Sequence, residues 1–210
     1  MKHNPNNSKL VGVVFFLFLM VVGIYVGGGK GKSVFPDDVK LKSLLATATQ
    51  SFGFDERLKQ DHCLIQGPLP DHNCTPGAVF TDATPEVICV SGYTKTVRNV
   101  SAKLKKEVYG EYGLDSHQEL GTYEVDHLIP LELGGNNDIA NLFPEAAIPI
   151  PGFQEKDLVE NYLHQEVCSG RVLLDSAQKQ IANDWVAVYL TLSSKQILEL
   201  KGQFKSWVKN

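Results

Sequence analysis

Residues 123–145 read YEVDHLIPLELGGNNDIANLFPE, and the order of elements within them decides the fold. Thr122 to His127 alternates in type and is rich in β-formers, which predicts a strand. Gly134-Gly135 supplies a turn, and Asn141-Leu142-Phe143 predicts a second short strand stopped by Pro144. Residues 146–152 (AAIPIPG) read as an extended connection, because a residue that precedes proline is pushed out of the helical region. Phe153 to Val167 then reads as a helix, with Leu158, Tyr162 and Leu163 on an apolar side. Strand, strand and helix thus follow one another around the adjacent pair Asp126-His127. Neighbours in an unbroken strand point to opposite faces. The pair converges on one group only where the strand ends, and Pro130, which lacks an N–H, favours an early end.

Outward from this segment the pattern is mostly helical. Asp37 or Asp38 caps a predicted helix to about Phe52, with Val39, Leu41, Leu44 and Leu45 near helical spacing. Pro68, Pro70, Pro76 and Gly77 make residues 62–80 a loop. Val87 to Val90 reads as a short strand, and Ser101 as the N-cap of a helix through Leu104, Val108 and Tyr109 towards Gly113. Beyond the central segment, Asp175 caps a helix over Ser176–Leu192 whose core stripe is Ile181, Trp185, Val188 and Tyr189. Ser193 or Ser194 caps a last amphipathic helix through Trp207. Trp185 and Trp207 fit core stripes rather than base-stacking platforms. No segment repeats at a fixed period, which excludes a solenoid. The expected fold is α+β: a small, mostly helical domain over 37–210, with its ββα unit over about 121–168 and C-terminal helices over 175–208.

The order D-H-x-x-P-x-x-x-G-G-x5-N-L, from Asp126 to Leu142, resembles the ββα-metal core of the histidine–asparagine–histidine (HNH) endonucleases. The resemblance covers roughly Tyr123 to His164. It implies an endonuclease that hydrolyses phosphodiester bonds in DNA or RNA with a divalent metal ion, Mg²⁺ first, with Mn²⁺ or Zn²⁺ as alternatives. It implies further that His127 is the general base, that Asp126 is a metal ligand, and that the Asn141 amide braces the loop opposite His127. The residue types suit the chemistry: imidazole titrates near neutrality and can take a proton from water, while a metal ion offsets charge on the leaving oxygen. The chain departs from the family at the closing ligand. Nine residues beyond Asn141 stands Ile150, whose side chain cannot bind a metal. The following helix offers Asp157, Glu160, Asn161 and His164 at i, i+3, i+4 and i+7, and Asn161 and His164 are the candidate replacements. The plainer reading of that stripe is the solvated side of an amphipathic helix. Arg98 and Lys95 are candidates to hold substrate phosphates, whereas Lys103, Lys105 and Lys106 read as a solvated helix face.

Location is read from other features. Between Lys9 and Lys30 lie twenty residues without charge, with LVGVVFFLFLMVVGIYV over Leu10–Val26, close to the ~20 needed to cross a bilayer. Residues 1–29 therefore read as a signal-anchor or a cleaved signal segment, and 30–36 as a glycine-rich tether. The four cysteines, Cys63, Cys74, Cys89 and Cys168, all follow that segment and suggest disulfides in an oxidising compartment. The short loop between Cys63 and Cys74 favours pairing those two, although four cysteines permit three pairings. No C-x-x-C spacing supports a zinc ribbon. After Lys2, Lys9, Lys30 and Lys32 are set aside, sixteen basic residues face twenty-four acidic ones, a formal charge of −8. That balance excludes tight binding to nucleic acid over the whole surface, so contact with a nucleic-acid substrate has to be local. The expected contacts are that substrate and, through the N-terminal helix, a membrane; no feature points to a protein partner. The alternative function is a non-catalytic envelope module that binds a partner through a degenerate HNH core.

Overall fold

Tyr123–His127 forms strand β1 and Leu142–Ala146 strand β2, and the two pair antiparallel with Asp126 opposite Phe143 and His127 opposite Leu142. The computed structural model describes residues 56–203 of the chain. The expected N-terminal apolar segment (1–29), the tether (30–36), the helix from Asp37 and the chain end at Trp207 lie outside the described residues. Around the strand pair stand α1 (Pro85–Ile88), α2 (Tyr93–Val97), α3 (Ala102–Glu111), α4 (Phe153–Cys168), α5 (Leu174–Thr191) and α6 (Ser194–Gln203). The described part is thus a small mixed α+β structure, and none of its helices is long and apolar enough to cross a membrane.

Several local expectations are corrected by the structure. Val87 to Val90 is not a strand. Pro85 occupies the first turn of α1, where its missing N–H and fixed φ suit a helix start, and Thr84 before it is extended. Pro144 does not stop β2, which continues to Ala146. The sheet has two strands, so β2 keeps a free edge on which a missing N–H is tolerated. Asp175 lies in the first turn of α5 rather than at its cap, which is Leu173. That helix is interrupted at Asp184, whose carboxylate accepts from Ala187 N at 2.9 Å and so restarts the second half. Ser101 does cap α3, accepting from Leu104 N at 3.1 Å. Ser193 Oγ accepts from Gln196 N, while Gln196 Oε1 accepts from Ser193 N, a reciprocal cap for α6.

The core lies beneath the segment that joins β1 to β2. Leu128, Ile129, Leu133 and Phe143 are fully buried there against Val159, Leu163 and Val167 of α4 and Ile181 and Trp185 of α5. Two disulfides hold the rim, Cys63–Cys74 across the proline-rich loop and Cys89–Cys168 from the end of α1 to the end of α4. That is the pairing favoured by the short first loop, and it is compatible with an extracytoplasmic location. Residues 77–80 run beside the strand connection: Gly77 N donates to Ala140 O, Phe80 N to Gly134 O, and Asn136 N to Ala78 O. The loop between the strands is therefore fixed on both sides, by core packing below and by this extended segment at its flank.

Candidate functional site

Asn141 is the post on which the strand connection hangs. Its side chain is wholly buried. Oδ1 accepts from Ile129 N at 2.9 Å, and Nδ2 donates to Ile129 O and Asn136 O, both at 2.9 Å. Its backbone oxygen accepts from Leu128 N at 2.8 Å. These bonds end β1 at His127 and turn the chain inward at Leu128. Gly135 completes the turn, because a Cβ there would stand 1.7 Å from Ile129 O and 2.9 Å from Asn141 Nδ2. Gly134 needs a positive φ of 77°, and a Cβ on it would lie 2.5 Å from that of Ala83. The glycine pair thus serves two separate steric ends, backbone twist and close approach.

His127, at the end of β1, is 3 % exposed. Its Nε2 lies 3.2 Å from Asn137 Oδ1. The orientation of Asn137 is fixed by two further bonds, since its Nδ2 donates to Val97 O at 2.8 Å and its Oδ1 accepts from Asn99 N at 3.1 Å. An oxygen that accepts from Asn99 must accept from His127 as well, so the proton of the neutral imidazole sits on Nε2. Nδ1 is left with its lone pair, 3.9 Å from Asp126 Oδ1. Asn137 was not singled out in the sequence. It stands in an Asn-Asn-Asp run whose members differ only in what they meet in space.

The other half of the site comes from α4. Lys156 is 0 % exposed, and its ammonium donates to Asp126 Oδ2 at 2.6 Å, to His127 O at 2.7 Å and to Glu160 Oε1. Glu145 Oε2 of β2 lies 3.7 Å away, and neither oxygen of that buried carboxyl has a hydrogen-bond donor. One ammonium therefore serves three carboxyls. Burial opposes charge on Asp126, but the Lys156 ammonium beside it holds its carboxyl well below the usual range. Burial pushes Glu145 and Glu160 well above it despite the same neighbour. Burial also lowers the Lys156 ammonium, and the Asp126 and Glu160 charges more than reverse that, so its pKa rises. The arrangement is an ion pair between Lys156 and Asp126, with the remaining carboxyls crowded round it.

The sequence-derived candidates divide accordingly. Asp126, His127 and Asn141 come together at the end of β1. Arg98 is exposed just past α2, near enough to Asp157 and Glu132 to pull both carboxyls down, although burial raises Asp157 to about 6 and Glu132 to about 7. Lys95 is exposed in the last turn of α2. Lys103, Lys105 and Lys106 are exposed on α3, as a solvated face would be. Asn161 and His164 make their bonds elsewhere than at Asp126. The Asn161 amide donates to Asp157 O within the helix, and His164 Nε2 lies 3.3 Å from both Ile88 O and Cys168 Sγ, beside the second disulfide. Of the candidate stripe, Glu160 meets the buried Lys156, Asn161 is buried against its own helix, and His164 stands beside the second disulfide. A lysine at the head of an apolar stripe was the available signal for Lys156.

Cys89, His164 and Cys168 bring ligand atoms within 4.8 Å of one another, a grouping that can hold a metal ion. The two sulfurs are bonded to each other, and a metal takes thiolates, so the grouping is open to an ion only once that bond is reduced. Compared with protein-family models, curated proteins and solved structures, the chain matches none.

Proposed function

We propose that the chain is an HNH-like endonuclease that hydrolyses phosphodiester bonds in DNA or RNA outside the cytoplasm, with His127 as the general base. The observation that carries the reading is the held imidazole: Asn137 keeps the proton on Nε2, and Nδ1 faces Asp126 with a free lone pair. The order of strand, strand and helix around it supports the resemblance carried by Asp126 to Leu142. Nδ1 takes a proton from water as the water oxygen bonds to phosphorus. The bond to the leaving oxygen breaks, and that oxygen takes a proton from solvent. The imidazolium formed stands 3.9 Å from Asp126 Oδ1. Arg98, exposed beside the cluster, holds a phosphate oxygen, and Lys95 a flanking phosphate.

The divalent ion implied by the resemblance does not fit here. Its position at Asp126 Oδ2 is filled by the Lys156 ammonium, which already takes up the oxygens of Asp126, His127 and Glu160. No step of the proposed reaction passes through a metal. The extracytoplasmic setting is supported by the two disulfides together with the apolar run from Leu10 to Val26 as an anchor or signal.

A second reading, a non-catalytic envelope module, is favoured by burial. His127 at 3 % and Lys156 at 0 % exposure close the site with its own side chains. Cleavage of plasmid, single-stranded DNA and RNA, with and without chelator, separates the two. Wild type is expected to cut, and His127→Ala to lose ~10²–10⁴-fold in rate. Equal rates in the two proteins would end the catalytic reading, and a folded wild type that cuts nothing favours the module.

A further inference from the structure

An ammonium group has three hydrogens and no lone pair, so three acceptors satisfy it. Lys156 has three: one oxygen of Asp126, the backbone oxygen of His127 and one oxygen of Glu160, with Glu145 at 3.7 Å behind them. Carboxylates and a backbone carbonyl are the donor set that hard divalent cations use. They converge from β1, β2 and α4 on one point, and that point holds a nitrogen bonded to the chain. An unpaired buried ammonium would be untenable.

We propose that Lys156 is the resident cation of this site. Its ammonium takes the place of a divalent ion between β1 and α4, and the domain holds its Asp126 end together without a metal. The carboxyls are arranged for a cation, and the chain supplies it covalently. A lost lysine should therefore turn the position into a divalent-ion site formed by Asp126, Glu145 and Glu160. The inference rests on the HNH-like reading only for identifying this point as the ion's place.

Mn²⁺ titration followed by electron paramagnetic resonance, together with thermal melting, tests it on the whole chain. For wild type, the expected result is no Mn²⁺ signal that depends on Asp126, and the same melting temperature in chelator as in Mg²⁺ or Mn²⁺. For Lys156→Ala, melting is expected to fall in chelator and to rise by ~5–10 °C in saturating Mn²⁺. Adding Asp126→Asn to that variant should abolish the rise. If Lys156→Ala is unfolded in chelator, refolding on addition of Mn²⁺ reads the same effect. Wild type that binds Mn²⁺ and loses it on Asp126→Asn overturns the proposal, as does a Lys156→Ala chain indifferent to Mn²⁺. Neither readout uses a nucleic-acid substrate, so failure of the nuclease reading leaves this result standing, and the reverse also holds.

Discussion

Asn137 does for His127 what Asn141 does for the backbone: each is a side-chain amide whose every group is spoken for. The difference lies in what depends on it. Loss of the Asn141 amide would strand Ile129 N, Ile129 O and Asn136 O inside the core, so its role is structural. Loss of the Asn137 amide would free an imidazole nitrogen to carry the proton or not. For Asn137→Ala we expect the ¹⁵N shifts of the His127 ring to change from a single Nε2–H tautomer to a mixture. Hydrolysis should fall by about tenfold or more with KM little changed. A variant ring that keeps one tautomer would remove Asn137 from the account. Asp126, His127 and Asn141 were marked out in the sequence by their spacing. Asn137 and Lys156 were not, since the role of each is set by partners distant in the chain, Val97 and Asn99 for one and Asp126 for the other.

At the scale of elements, the loop between the strands was the best-read part. Two glycines, a proline and an asparagine at fixed offsets leave the chain few ways to turn. Gly135→Ala tests that reading, because the added methyl would collide with Ile129 O rather than with a movable side chain. A loss of the order of 4 kcal/mol or more in stability is expected by urea unfolding. A loss under about 1 kcal/mol would mean that the loop can shift as a body. The longer helices, α3 to α6, stand where their patterns put them, whereas α1 and α2 were not expected. In α4 the expected ligands Asn161 and His164 bond elsewhere, while Lys156, outside the expected polar stripe, is buried against Asp126. Composition could not arbitrate, since a charged residue at a core position looks like surface until its partners are known. The Val87–Val90 segment failed for a related reason. Four β-prone residues cannot form a strand without a neighbouring edge, and Pro85 had already set a helical turn.

For the molecule as a whole, the buried carboxyls set a dependence on pH. Glu132 is raised from 4.5 to about 7, chiefly by burial, and one of its oxygens has no partner. The folded state therefore keeps a proton that the unfolded chain has released, and stability falls as pH rises between those two values. Asp157, raised to about 6, acts in the same direction. Asp126 acts in the opposite one: its carboxyl is lowered, so its contribution is lost only as pH drops below the ordinary carboxylate range. Melting temperature should accordingly peak at mildly acidic pH and decline towards pH 8. Glu132→Gln should flatten that decline by the order of 1–3 kcal/mol, as read from chemical unfolding at pH 5 and 8. A wild-type curve that rises from pH 5 to 8 would contradict the charge state assigned to this cluster.

The bond between Cys89 and Cys168 has a topological meaning beyond stiffness. It closes a covalent ring across a separation of 79 residues, and Arg98, Asp126, His127, Asn137, Asn141 and Lys156 all lie within that ring. Closing so long a loop restricts the unfolded chain by ~4–5 kcal/mol in the entropic account. It also separates the fate of the site from the fate of the ends. A protease that trims the chain before Cys89 or after Cys168 leaves the ring whole. A single cut inside the ring opens a strand of it but releases no fragment, so the two halves of the site remain parts of one molecule for as long as the sulfurs stay oxidised.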